Sequence, residues 1–264
     1  MWGRMNVGLM LAGLTVGLLV GLTGMGAGSL MTPILISFFG IPAGTAVGTD
    51  LVYAAVTKMF GAARHHQLKN VNRELALWMA TGSVPAAFLG TFSLYNLFAA
   101  NIDDWLPSVI GYTLVAVGIA VAIRTFVTIR GLWDASKLPQ DGELTRNHKI
   151  LAVTIGAVFG FILGLTSVGS GVFFGMALVT VFPLTARKVV GTDLLHAMMV
   201  TLAAAAGTVI WGTPDYGNVG TILIGSIPGI LIGSHFTSRL PERALRGSIA
   251  SVLALSGLKL LGAF

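Results

Sequence analysis

The sequence predicts an all-α integral membrane protein built of two inverted-topology repeats of about five helical segments each, with broken or re-entrant helices at glycine-rich turns. Three observations carry that prediction. Of 264 residues, 55% are apolar and only 10% are charged, with a mean hydropathy of +0.85; an ordinary soluble domain has about 25% charged residues. Residues 13–92 realign without a gap on residues 156–235 at a constant offset of 143. Corresponding loops of the two copies also carry opposite charge.

The repeat rests on many matches in one register. Gly13 and Gly17 fall on Gly156 and Gly160, and Gly21-Leu22-Thr23 on Gly164-Leu165-Thr166. Val47-Gly48-Thr49-Asp50-Leu51 returns as Val190-Gly191-Thr192-Asp193-Leu194, and Gly82-Ser83-x-Pro85 as Gly225-Ser226-x-Pro228. The charges then give the orientation. Arg64, Lys69 and Arg73 mark one basic loop, yet its counterpart, 207–216, is uncharged apart from Asp215. Acidic Asp103-Asp104 has the basic Arg239, Arg243 and Arg246 segment as its counterpart. An odd number of crossings per repeat reverses the second copy, as the charges independently require. Positive residues accumulate in cytoplasmic loops, so the basic loops are expected inside the cell and both termini outside. The expected organisation is repeat 1 over 1–128, a cytoplasmic linker over 129–149 and repeat 2 over 150–264, in the plasma (inner) membrane.

Taken in order, the apolar runs lie near 7–22, 28–40, 46–63, 75–98, 106–127, 150–166, 170–186, 190–210, 219–238 and 244–262. The first is read as a retained span rather than a signal peptide, because its counterpart is internal. A full span needs about 20 residues. Runs 75–98 and 106–127 qualify, while 28–40 is short. Short, glycine-interrupted segments at matching places in two halves point to helices that break near the bilayer midplane, around a transporter binding site. Pro33, Pro85 and Pro228 fall inside apolar runs and predict kinks.

Composition also excludes functions. With no cysteine, there is no disulfide, thiol catalyst or cysteine metal site. The net charge of +6 lies in short gaps between apolar runs, which fits membrane topology better than nucleic acid. His65-His66 lacks a nearby carboxylate or third histidine, so no metal and no cofactor are expected. The lipid bilayer is an expected partner, and the sequence leaves a homodimer open.

The strongest candidate site is the glycine-rich stretch Gly21 to Ser29 with its counterpart Gly164 to Gly171. Each glycine costs up to about 1 kcal/mol relative to alanine inside a helix, so these runs mark bends. Where a bend opens a new helix, several backbone N–H groups lack intrahelical partners and the positive end of the dipole lies behind them. Two such starts could converge on one oxyanion. Gly24, Gly26, Gly28, Gly169 and Gly171 would supply backbone donors, and Thr23, Ser29, Thr166, Ser167 and Ser170 hydroxyls. The competing reading is that the glycines only permit close helix packing.

Gly48-Thr49-Asp50 and Gly191-Thr192-Asp193 each precede an apolar stretch. Thr and Asp there read as N-caps, or Thr49 and Thr192 line the anion site while Asp50 and Asp193 bind a proton or cation, since intramembrane carboxylates are costly and usually functional. His196, three residues after Asp193, would share its helical face and complete a proton relay with Asp50 and Asp193. Tyr53 stands at the corresponding position of the first copy. Lys58, two turns after Asp50, either pairs with the substrate anion or snorkels to the surface.

The glycine-rich turn followed by Pro33, the Gly-Thr-Asp-Leu block, the basic loop with histidine, and the return of this block in the second half together resemble the TauE/SafE family of sulfite exporters. The resemblance covers most of the chain. It implies a secondary transporter, not an enzyme, for small sulfur-containing anions: sulfite, thiosulfate or organosulfonates such as sulfoacetate. Small carboxylates are the alternative cargo.

Two other classes fit the residues less well. An intramembrane serine protease would pair Ser170 with His196, but Val168 occupies the position two before the serine where such enzymes need glycine. A passive anion channel would use the same donors to line a pore.

Overall fold

The computed structural model describes residues 6–23, 28–67, 70–129, 144–169, 171–182, 184, 186–236 and 257–262. Every regular element among them is helical. In chain order these are α1 (Val7–Thr23), α2 (Gly28–Phe39), α3 (Ala43–Gln67), α4 (Arg73–Phe92) continued by a π-helical turn (Ser93–Leu97), α5 (Ile102–Ile129), α6 (Arg146–Thr166), α7 (Val172–Val181), α8 (Ala186–Trp211) and α9 (Tyr216–Phe236). The ends of α1 and α6, the starts of α3 and α8, and the starts of α4 and α9 each differ by the 143 residues of the sequence offset.

Length and hydropathy separate the spanning segments from the short ones. Segments Arg73–Leu97, Ile102–Ala120, Arg146–Thr166, Lys188–Trp211 and Tyr216–Phe236 are long and apolar enough to cross a membrane. By contrast α2 has 12 residues and α7 has 10, about 18 and 15 Å of helix against a hydrocarbon core of about 30 Å. These are the short segments expected from the sequence. At the α6–α7 junction, Ser167 adopts a left-handed conformation (φ 59°), and Gly169 (φ 104°) and Gly171 (φ 121°) follow in backbone conformations that side chains disfavour. Pro33, Pro85 and Pro228 lie inside α2, α4 and α9.

The halves are joined by two close helix pairs, α1 with α9 and α4 with α6. Glycine makes both possible. A Cβ on Gly17 would lie 2.4 Å from the Ser226 carbonyl oxygen, and one on its counterpart Gly160 would lie 2.6 Å from the Ser83 carbonyl oxygen. Backbone meets backbone there, as small residues permit in membrane helices. Gly21 and Gly164, at the head of the glycine-rich stretches, serve the same contacts against Ile230 and Ala87. For those two positions the packing reading holds.

The surface is apolar where lipid would lie: Tyr112 is 67% exposed, Val209 54% and Leu89 56%. Polar residues collect inside and at the two ends. One end joins Lys149 at the start of α6 to Glu74 at the start of α4, 2.8 Å apart, with Arg73 donating to His66 Nε2 at 2.7 Å. At the other, Asp103 accepts the Gly44 N–H at 3.0 Å and Tyr95 donates to the Gly44 carbonyl at 2.7 Å. The chain is a multi-pass, all-helical membrane protein. Of the segments expected from the sequence, the basic stretch 239–246, much of the linker and most of the last apolar run lie outside the described residues.

Candidate functional site

Helices α3 and α8 pack on each other and carry an unusual load of buried polar groups. Thr49, Asp50, Thr192, Asp193 and His196 are fully buried, and Lys58 is 2% exposed. Ionisable residues at such depth in a membrane bundle are costly unless paired, and they mark functional ground.

Asp50 ties three helices together. Its Oδ2 accepts from Thr32 Oγ1 on α2 at 2.5 Å and from Ser167 Oγ at the α6–α7 break at 2.7 Å. Its Oδ1 has no hydrogen-bond partner among the described residues. Lys58, two turns on along α3, attracts both Asp50 and Asp193 electrostatically. Snorkelling to the surface is therefore corrected: the Lys58 side chain, 2% exposed, stays inside.

Asp193, the counterpart of Asp50, has neither oxygen hydrogen-bonded among the described residues. The sequence gives the reason. At the repeat offset, Gly175 stands where Thr32 stands in the first copy, and Gly24 stands where Ser167 stands in the second. The carboxylate is duplicated and its two hydroxyl donors are not.

His196 Nε2 lies 2.7 Å from Ser83 Oγ on α4, and the ring meets Phe174 edge-on at 4.3 Å between centroids. The counterpart serine, Ser226 on α9, lies 2.8 Å from Thr57 Oγ1 on α3. Tyr53, at the position matching His196, is also buried. A cavity of about 10 Å³ is lined by Gly17, Val20, Tyr53, Ala54, Thr57 and Lys58, room for about one water molecule.

The N-cap expectation for Gly48-Thr49-Asp50 and Gly191-Thr192-Asp193 is overturned. Helix α3 starts at Ala43 and α8 at Ala186, so both motifs lie inside a helix. In α3 the reason is Pro42, whose missing N–H costs nothing just ahead of the first turn. Thr49 and Thr192 instead reach across to the other half, where each accepts a backbone N–H at 2.9 Å, from Asp215 and Asn72 respectively.

The glycine-rich candidates divide. Thr166 Oγ1 donates back to Ile162 at 2.7 Å and accepts the Val168 N–H at 3.2 Å. Ser167, Gly169 and Gly171 form the break itself. Gly28 begins α2. The side chains of Thr23 and Ser29, and all of Gly24, Gly26 and Ser170, lie outside the described residues. Thr32, Thr57, Ser83 and Ser226 complete the polar cluster without having been singled out as ligands. Their signal was a hydroxyl within an apolar run, reinforced for the two serines by the repeated Gly-Ser-x-Pro block.

An apolar exterior around a closely packed interior that holds Asp, Lys and His defines the class: a multi-pass membrane protein with a buried polar centre. The family model described as Sulfite exporter TauE/SafE matches residues 9–260, and the chain belongs to that family. It is 42% identical over 97% of its length to the whole of the probable membrane transporter protein YjnA of Bacillus subtilis. It is 26% identical to YdhB of the same organism, over 93% of this chain and 96% of that one. With MJ0441 of Methanocaldococcus jannaschii, also named a probable membrane transporter, identity is 24% over 96% of this chain and 94% of the relative. No solved structure matches the chain significantly.

Proposed function

We propose that this protein is a secondary transporter of small sulfur-containing oxyanions, sulfite, thiosulfate or an organosulfonate, working by alternating access and coupled to protons. The observation that carries the proposal is the buried cluster of Asp50, Lys58, Asp193 and His196 beside the α6–α7 break. An anion entering a low-dielectric interior must have its hydration shell replaced, and hydroxyl and N–H donors with one ammonium can do that. The break supplies such a donor at Ser167, and Lys58 supplies the charge. Asp50, Asp193 and His196 are the groups that could carry the coupled proton.

The movement we envisage is rocking of two inverted repeats, over 1–128 and 150–264, about the shared site. Matching helix boundaries and the reciprocal pairs α1–α9 and α4–α6 support it. The basic loops would face the cytoplasm and both termini the outside. The name of the matched family favours a sulfur oxyanion over a carboxylate.

The experiment is flux in proteoliposomes with sulfite, thiosulfate, sulfoacetate and a carboxylate control, with and without a pH gradient. Saturable, gradient-sensitive movement of a sulfur anion is the expected result. Movement of the carboxylate alone would replace the cargo, and unsaturable flux would make the protein a channel.

A further inference from the structure

The anion site proposed above already contains a carboxyl group, that of Asp50. The carboxylate of Asp50 takes the Thr32 and Ser167 hydroxyls through one oxygen, and Lys58, also buried, lies two turns further along the same helix. Ser167 belongs to the break where an arriving oxyanion would look for donors. Two anions cannot share two hydroxyls and one ammonium in a buried site, because like charges at close range do not both stay ionised. At the repeat offset Gly24 and Gly175 stand in place of the two hydroxyl residues, and Asp193 has no hydrogen-bond partner among the described residues.

We propose that Asp50 is the resident occupant of the oxyanion site and that a substrate anion binds only together with a proton taken up by Asp50. This rests on the oxyanion-carrier reading. The proton comes from the aqueous phase and goes to Oδ1, the oxygen without a partner among the described residues. With its charge gone, Oδ2 is a weaker acceptor than the substrate anion, so the Thr32 and Ser167 hydroxyls turn to the substrate. Lys58, which balanced Asp50, then balances the incoming anion. Asp50 loses the charge that a monovalent anion brings, so the net charge of the site is the same before and after binding, and each anion travels with one proton.

Other charged or titratable groups surround the site. Tyr53 and Lys58 share α3 with Asp50, and Asp193 and His196 come from α8. Asp103 of α5 holds the Gly44 N–H at the start of α3. Helix α2 carries no ionisable residue, and α9 carries only Tyr216 and His235, at its two ends. Asp193 is the group best placed to take the proton instead, so it is the comparator.

The test uses the full-length protein in proteoliposomes with thiosulfate and methanesulfonate. Neither changes its own charge between about pH 5 and pH 8, where a shifted carboxylate can titrate. For the wild type, apparent affinity should weaken by up to about tenfold per pH unit on the alkaline side, and an anion gradient should move protons, read with an internal pH dye. Asp50→Asn should bind with no pH slope and carry the anion without protons, while Asp193→Asn keeps the slope. Ser167→Ala, which retains Asp50, should lose about tenfold in affinity at acid pH and keep the slope. An Asp50→Asn protein with the wild-type slope and proton movement overturns the proposal. So does a slope lost in Asp193→Asn. If Asp50→Asn does not fold, unchanged affinity in Ser167→Ala overturns it. Wild-type protein that moves neither anion removes the oxyanion reading itself, a result distinct from these.

Discussion

Thr192 on α8 accepts the backbone N–H of Asn72 at 2.9 Å. Asn72 is the N-cap of α4, its side chain accepting the Leu75 N–H at 3.1 Å, so a threonine of one half fixes where a helix of the other begins. Thr49 does the same for Asp215, which accepts the Asn218 N–H at 3.0 Å in the first turn of α9. Valine keeps the shape of threonine and removes the acceptor, leaving a part-buried N–H unmade at a cost of about 1–3 kcal/mol. Thr49→Val and Thr192→Val should each lower the melting temperature in detergent by several degrees.

Gly17 and Gly160 should tolerate no side chain. A Cβ would stand 2.4 and 2.6 Å from the facing carbonyl oxygens, and backbone cannot step aside as a side chain can. Gly17→Leu and Gly160→Leu should lose the monodisperse protein peak in size-exclusion chromatography. Gly220→Ala is the control, because nothing lies within 4 Å of a Cβ there.

Lys58 and Asp50 should show strong coupling. Lys58→Met leaves two buried carboxylates without their cation, and breaking a buried charge pair from one side costs about 3–5 kcal/mol. Combining it with Asp50→Asn removes one of the stranded charges, so the double variant should melt above Lys58→Met alone. A simple sum of the two single effects would mean that the charges do not interact.

Asp193→Asn should raise thermal stability. Neither carboxylate oxygen meets a donor among the described residues, and an amide is cheaper to bury than a charge. A fall in melting temperature would mean that the attraction to Lys58 outweighs the cost of burying the charge.

Topology can be read chemically because the chain has no cysteine. Single cysteines at Gln67, which is exposed, and Asn218, which is half-buried, should label from opposite faces of the membrane with an impermeant maleimide. Labelling from the same face would reject the inverted arrangement of the loops.

Much of the architecture was legible because its causes are local. Charge scarcity and apolar runs state the membrane class. Glycine runs at 21–28 and 164–171 announce breaks, and α6 does end where the second begins to turn. The failures also had local causes. Helix α3 begins six residues before Thr49 because Pro42 opens it, so a motif that looked like a cap became mid-helix. Lys58 looked like a snorkelling residue because Arg64 follows it nearby, and sequence distance carries no information on depth.

By itself the sequence determined that this is a multi-pass helical membrane protein of the TauE/SafE family, since hydropathy, the offset of 143 and glycine placement are properties of the chain read along its length. Only the tertiary structure decided which polar groups meet. Ser167 reaches Asp50 across 117 residues of sequence, and Ser83 reaches His196 across 113, because α6 packs on α4 and α4 on α8. Hydrogen bonding acts over about 3 Å, and that distance is set by packing between helices, which no local pattern records.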